Sequence, residues 1–332
     1  MLNSLIQKYD RILIINEVTY IGDSIVFFWP LVNALVSAYP DKEISVFHHH
    51  SNLFKPSNDK IQNRPLTGFN DEIKADETTL VIAFIKSDGQ LKEYLKCNGF
   101  QSIVKGMVGL DITTFNLADI GVVLHEYERL PIDSKEIKYL HTNLERDSQS
   151  GFPLLKQSFS NVYQYAKICN ESFLSLNGID TAFEENIVMH ELDKIETFTD
   201  LFISSSPVEQ RNYILINFIS SSLKKDVQEN YTNLLCWIRE TVVVAKKKNL
   251  DVWLLVDNRF PNLRNDLHES HLNLFFLKEQ TSLYWTTLMK KAEKIYSIDT
   301  GFLHIAHVLN ENTFGFGGDV DFWFFKDKTI DI

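Results

Sequence analysis

The stretch SIDTGFLHIA, residues 297–306, decides the fold of this chain. An apolar run at 295–298 meets an acid, a hydroxyl and a glycine, and a helical pattern follows with His304 and His307 on adjacent turns. The pattern predicts a strand that ends in a tight turn and opens a helix. The first amides of such a helix and its dipole suit a phosphate or diphosphate. An ordinary N-cap, with Asp299 or Thr300 satisfying the first turn, fits the same residues.

Two similar halves emerge along the chain. Each opens with an apolar strand (11–15 and 213–217), followed by a polar loop, a helical segment (24–39 and 227–248) and a second strand (43–47 and 252–256). Further strands are predicted at 79–84, 102–104, 120–124 and 272–277, with helices at 88–98, near 152–176 and at 281–292. Strands that alternate with helices predict an α/β fold with parallel sheets covered on both faces. We expect two Rossmann-like domains, residues 1–185 and 186–332, whose ligand loops face one another across a cleft.

Composition bounds the class of protein. The chain has 332 residues, of which 44% are hydrophobic and 23% charged, which is typical of globular domains. A net charge of −11 argues against a general nucleic-acid binder. Three widely spaced cysteines and no signal-peptide pattern favour a reduced, cytoplasmic setting. No apolar run is long enough to span a membrane. Trp29 and its neighbours Phe27 and Phe28 are the best candidates for a membrane-contacting surface, although a core position is favoured for them.

Three segments resemble glycosyltransferase family 9, the bacterial heptosyltransferases, and occur in that family's order. The first is the opening strand with its loop ending in Gly22-Asp23 and the helix containing Pro30. The second, residues 216–225, is similar to the family's hydroxyl-and-lysine phosphate loop. The third, residues 299–306, resembles its Asp-(Thr/Ser)-Gly-x-x-His-x-Ala signature.

The resemblance implies a GT-B fold and a metal-independent, inverting transfer of a sugar from a nucleotide diphosphate donor. The donor it implies is ADP-heptose as co-substrate, with no other cofactor, and the acceptor is a lipopolysaccharide core or related glycan. A cytoplasmic protein that touches the inner face of the membrane fits such an acceptor. Two alternatives stay open: a non-catalytic GT-B relative that binds glycan or a partner protein, and a nucleotide-sugar epimerase.

The resemblance also implies roles for matching residues. Asp23, after Gly22, is the expected base for the acceptor hydroxyl, and its position equally suits the N-cap of a helix that starts at Ser24. The donor is expected to be held by hydroxyls, a cation, backbone amides and a carboxylate, with a histidine fixing the turn. These residues are Ser220 and Ser221, Lys225 with Lys224 as its substitute, Thr300 and Gly301, Asp299, and His304.

Departures from the family pattern accompany these matches. The stretch from Asp23 to Pro30 is one residue longer than expected, and Glu17 stands where a basic residue is common. Phe218-Ile219 replaces the proline-glycine of the phosphate loop. These differences weaken the assignment of the donor more than that of the fold.

Two polar stretches have further interpretations. The three histidines at 48–50 follow a predicted strand, and alternation along a strand argues against a shared metal ion, so a loop facing the acceptor is favoured. Residues 125–129, just beyond the strand predicted to end at Leu124, lie where acceptor-binding residues or a solvated turn are expected.

Overall fold

The computed structural model divides into two compact units, Met1–Val188 and Met189–Ile332. It describes residues 2–16, 21–51, 54–55, 61–66, 79–85, 106–112, 122–126, 161–176, 178–181, 188–189, 212–218, 231–256, 263–267, 272–276, 282–317 and 324–330. Among these residues, no helix is both long and apolar enough to cross a lipid bilayer.

The first unit is built on a six-stranded sheet with helices packed beside it. Its strands are β1 (Arg11–Asn16), β2 (Glu43–His48), β3 (Phe54–Lys55), β4 (Gln62–Pro65), β5 (Thr79–Ile85), β6 (Gly106–Ile112) and β7 (Val122–Glu126). The short strand β8 (Val188–Met189) lies at the boundary of the two units and pairs with β3. Its helices are α1 (Leu2–Ile6), α2 (Ile21–Asp23), a π-helix (Ser24–Phe28), α3 (Trp29–Ala38) and α4 (Val162–Leu176). The main sheet has the order β4-β2-β1-β5-β6-β7.

The second unit repeats this plan. Its elements are β9 (Tyr213–Asn217), α5 (Tyr231–Lys247), β10 (Asp251–Val256), α6 (Leu263–Asp266), β11 (Leu272–Phe276), α7 (Ser282–Lys291), β12 (Lys294–Ser297), α8 (Gly301–Leu309), β13 (Thr313–Phe316), a 3₁₀ turn (Lys326–Lys328) and β14 (Thr329–Ile330). The sheet order is β11-β10-β9-β12-β13-β14, and its neighbouring strands pair in parallel.

Both sheets have the Rossmann strand order, in which the direction of winding reverses beside the first strand. That reversal lies between β1 and β5 in one unit and between β9 and β12 in the other. The two central strands, RILIIN and YILIN, are buried almost throughout, as is typical of strands in the middle of a parallel sheet, and each ends on a buried asparagine. The two Rossmann-like sheets expected from the sequence are therefore confirmed.

The edge strand β7 departs from the parallel arrangement. It runs antiparallel to β6, with Val108 opposite Glu126 and Ile112 opposite Val122. The carboxyl end of β7 therefore lies beside the amino end of β6. The prediction that His125 and Glu126 follow this strand, beyond the carboxyl ends of the parallel strands, is wrong. Both residues belong to β7 and lie towards the amino ends of those strands. Arg129 is outside the described residues.

The apolar segment that opens α3 is core. Trp29 and Phe28 are fully buried, and the run from Trp29 to Val36 is buried on every side. Trp29 packs edge-on against Phe28, with ring centroids 5.2 Å apart, and against His48, at 4.9 Å. The proposed membrane-contacting role of Trp29 and Phe28 is therefore wrong, and their core position is confirmed. The Phe27 side chain is outside the described set.

Candidate functional site

A cluster of polar side chains lies at the carboxyl ends of β9 and β12, where the winding of the second sheet reverses. Asn217 ends β9 and Ser297 ends β12, and the two residues are partners in the strand register. Open α/β sheets bind ligands beyond the carboxyl ends of their strands at this reversal. The position alone therefore makes this cluster the candidate site of the second unit.

The turn at 298–300 continues from β12 into α8, as the opening stretch of the sequence predicts. Ile298 still donates its backbone N–H to the Asn217 carbonyl, at 3.1 Å, so the pairing with β9 extends one residue past Ser297. The Thr300 carbonyl then accepts the first bonds of α8, from the N–H of Leu303 at 3.0 Å and that of His304 at 3.5 Å. Gly301 is the first residue of the helix.

The start of α8 has no side-chain cap from its own N-cap residue. Thr300 occupies the N-cap position in extended backbone, with φ −155° and ψ 168°, yet its side chain forms no capping hydrogen bond within the described part of the chain. Its hydroxyl oxygen instead lies 3.5 Å from Nδ2 of Asn217. The helix itself offers no acceptor for its first amides. Thr300 therefore does not serve as the ordinary cap that its residue type suggested.

Asp299 and His304 face each other across the first turn of α8. His304 Nε2 lies 3.6 Å from Asp299 Oδ1, an electrostatic contact longer than a hydrogen bond. The His304 side chain is 6% exposed and that of Asp299 18% exposed. The carboxylate thus lies beside a buried ring while part of it still reaches solvent.

The remaining donor-side candidates fall elsewhere. Ser220, Ser221, Lys224 and Lys225 lie in 219–230, outside the described residues. They follow Asn217 directly along the chain, so their roles stay predictions. Sequence reasoning gave no role to Asn217 or Ser297. The available signal was a polar residue that closes each of two predicted strands, at the carboxyl ends of neighbouring strands in the same sheet.

In the first unit, Asp23 lies after β1 at the equivalent reversal of winding. Asp23 is the last residue of the short helix α2, and Gly22 before it is partly exposed. The alternative that Asp23 caps a helix starting at Ser24 is therefore wrong, because the helical turn begins by Ile21. The side chain of Asp23 is outside the described set, and its role as a base stays a prediction.

The extra residue between Asp23 and Pro30 has a structural counterpart. Residues Ser24–Phe28 form a π-helix, and Pro30 lies in the first turn of α3, where proline is well accommodated. A π turn holds one more residue than an α turn, and such turns are frequent at functional sites. The helix downstream can thus keep its buried face despite the added residue.

His48 closes β2 beside Asn16, its partner in the strand register. Nδ1 of His48 accepts the backbone N–H of His50 at 3.2 Å, so the ring proton is on Nε2, which donates to Asn63 Oδ1 at 2.7 Å. Burial lowers the pKa of His48 to about 4. His48 therefore belongs to the strand and the core rather than to a loop with His49 and His50. The described residues contain no group of three or more His, Cys, Asp and Glu side chains arranged to hold a metal ion.

We expect acid to destabilise the protein through His48. Its pKa falls from 6.5 to about 4 on folding, so the unfolded chain binds more protons between these values. The free energy of unfolding is then highest above pH 6.5 and falls as the pH drops towards 4, by about 1.4 kcal/mol per pH unit for one histidine. Urea unfolding measured across this range should show a shallower slope for His48→Gln than for wild type. His49→Gln, on the exposed neighbour, should keep the wild-type slope, and identical slopes for all three proteins would contradict the prediction.

Comparisons with known proteins agree with this architecture. No protein-family model matches the chain, and a search of curated proteins finds no match. Among solved structures, the chain is similar to a family 9 glycosyl transferase from Veillonella parvula, with 13% identity, a TM-score of 0.60, and coverage of 98% of this chain and 86% of that one. It is also similar to the ADP-heptose LPS heptosyltransferase II of E. coli, with 13% identity, a TM-score of 0.54, and coverage of 97% and 90%. The chain therefore has the GT-B fold of the family 9 glycosyltransferases.

Proposed function

We propose that this protein is a metal-independent, inverting glycosyltransferase that moves a heptose-like sugar from a nucleotide diphosphate to a glycan. ADP-heptose is the donor we favour, and a lipopolysaccharide-type glycan at the inner face of the cytoplasmic membrane is the acceptor. The observation that carries the proposal is the helix start at Thr300–Gly301. It lies at the reversal of winding in a family 9 fold, without a side-chain cap from Thr300 and beside a partly exposed carboxylate.

The second unit supplies the donor side of the proposed reaction. The amides of Thr300 and Gly301 and the positive end of the α8 dipole stabilise the charge that develops on the departing diphosphate. Lys225, with Lys224 as its substitute, adds a cation, and Ser220 and Ser221 add hydroxyl donors. Asp299, oriented by His304, accepts hydrogen bonds from hydroxyls of the donor sugar.

The first unit supplies the acceptor side. Asp23 takes the proton from the acceptor hydroxyl as that oxygen attacks the anomeric carbon, and the bond from this carbon to the diphosphate oxygen breaks. Because attack and departure occur on opposite faces of the sugar, the anomeric configuration inverts. Proton transfer to a positioned carboxylate contributes roughly 100- to 10,000-fold to such a rate.

Incubation with ADP-heptose, other nucleotide sugars and acceptor glycans, with and without a chelator, tests the proposal. We expect a glycoside of inverted configuration, detected by NMR, at a rate that the chelator leaves unchanged. The absence of both ADP binding and turnover of any donor would instead favour the non-catalytic relative, and ADP binding at micromolar strength would argue against it. An isomerised nucleotide sugar formed without acceptor would favour the epimerase. Loss of transfer with the chelator would overturn the metal-independent mechanism.

A further inference from the structure

Asn217 joins the two chain segments that make up the proposed donor site. It closes β9, two residues before the segment that contains the proposed Ser220, Ser221 and Lys225, and its side chain reaches the turn that opens α8. Nδ2 of Asn217 lies 3.0 Å from Oγ of Ser297 and 3.5 Å from Oγ1 of Thr300. Asn217 and Ser297 are both fully buried, so this amide links positions 80 and 83 residues away along the chain.

The direction of these hydrogen bonds follows from Ser297. Its hydroxyl hydrogen is committed to the Ile298 carbonyl, at 2.9 Å, so its oxygen is left to accept. The NH₂ group of Asn217 has two hydrogens, which match the two hydroxyl oxygens. As acceptor in this pair, Thr300 can still donate its own hydroxyl hydrogen elsewhere. An amide is therefore the group this position requires, and a carboxylate of the same shape would have no hydrogen to offer.

We propose that Asn217 is a positioning residue for the donor diphosphate. It holds the hydroxyl of Thr300 away from the capping position, and it fixes the turn at 298–300 relative to the end of β9. The amides of Thr300 and Gly301 are then held in place before a nucleotide binds. This inference rests on the proposed function and adds to it a residue that does not itself touch the ligand.

Calorimetric binding of ADP to the full-length protein tests the role. Asn217→Ala is expected to weaken ADP binding about tenfold, the effect of losing roughly one net hydrogen bond. It should raise KM for the nucleotide sugar more than it lowers kcat. If Asn217 acts through Thr300, the double variant Asn217→Ala/Thr300→Val should bind ADP no more weakly than Thr300→Val alone. Fully additive losses would overturn that coupling.

Asn310 offers a matched control at the other end of α8. Its Nδ2 also donates twice, to the carbonyls of Met289 at 3.0 Å and Ala292 at 2.7 Å, and it caps the helix C-terminus. Asn310→Ala should therefore lower the Tm while leaving ADP affinity unchanged. A purely structural role for Asn217 predicts the same pattern for both variants, and that result would overturn the proposal.

The remaining outcomes distinguish a failure of this inference from a failure of the proposed function. A wild-type protein that binds no ADP and no nucleotide sugar overturns both. If the wild type binds ADP and Asn217→Ala binds it with the same affinity, the positioning role alone is overturned. If Asn217→Ala does not fold, Ser297→Ala removes one of the two acceptors. It should weaken ADP binding and speed hydrogen exchange of the amides at 298–303, and unchanged values of both would overturn the proposal.

Discussion

Asp23→Asn is expected to slow sugar transfer by roughly 100- to 10,000-fold, because the amide cannot accept the proton of the acceptor hydroxyl. Affinity for ADP should be unchanged, because the proposed donor contacts come from the second unit. The measurements are kcat with a nucleotide sugar and an acceptor glycan, and the Kd of ADP by calorimetry. Because the substitution preserves size and shape, a large fall in kcat would reflect chemistry rather than packing.

Asp41→Asn serves as the matched control for this variant. Asp41 is exposed in the turn before β2, at the opposite edge of the same sheet, and loses the same charge when replaced. It should retain wild-type kcat. An Asp23→Asn enzyme that turns over as fast as Asp41→Asn would remove Asp23 from the reaction.

Trp29→Ala is expected to lower the free energy of unfolding by about 3 to 5 kcal/mol, because a fully buried indole is replaced by a methyl group. The loss includes the cavity left between Phe28 and His48, which contact the ring edge-on. Urea unfolding followed by circular dichroism measures it. Trp29→Phe keeps an aromatic ring and should fall between Trp29→Ala and wild type.

Val243→Ala provides the reference for an exposed apolar residue. Val243 is 51% exposed on α5, so its replacement should change the free energy of unfolding by no more than about 0.5 kcal/mol. A Trp29→Ala protein as stable as Val243→Ala would contradict the core position of Trp29. If Trp29→Ala reduced vesicle binding at unchanged stability, the membrane-contacting role of Trp29 would be supported instead.

The sequence predicts best those elements whose signal is local. β9 lies at 213–217 as expected, and α8 begins at Gly301, because an apolar β-branched run and a glycine-bearing turn need no distant partner to be read. β4 (QNRP) and β13 (TFGF) escaped prediction, since short strands of polar residues or glycine acquire their structure from the neighbours they pair with. The direction of β7 is likewise decided by its pairing with β6.

The candidate site was only partly readable for the same reason. Thr300, Gly301, Asp299 and His304 are contiguous, so one motif contains them all. Asn217 and Ser297 are 80 residues apart, and only the parallel register of β9 and β12 makes them neighbours. The contact of the Thr300 side chain with Asn217, in place of a capping hydrogen bond, could not be inferred from residue type either, because threonine is a common N-cap.

The π turn at Ser24–Phe28 has a consequence for tracing the ancestry of this chain. An insertion inside a helix would normally rotate everything after it by about 100°, turning the apolar side of α3 towards water. Here a single widened turn absorbs the added residue, so the chain segments before and after it can change in length independently. Relatives that share this fold are therefore better sought by allowing a one-residue gap between Asp23 and Pro30 than by requiring an unbroken motif.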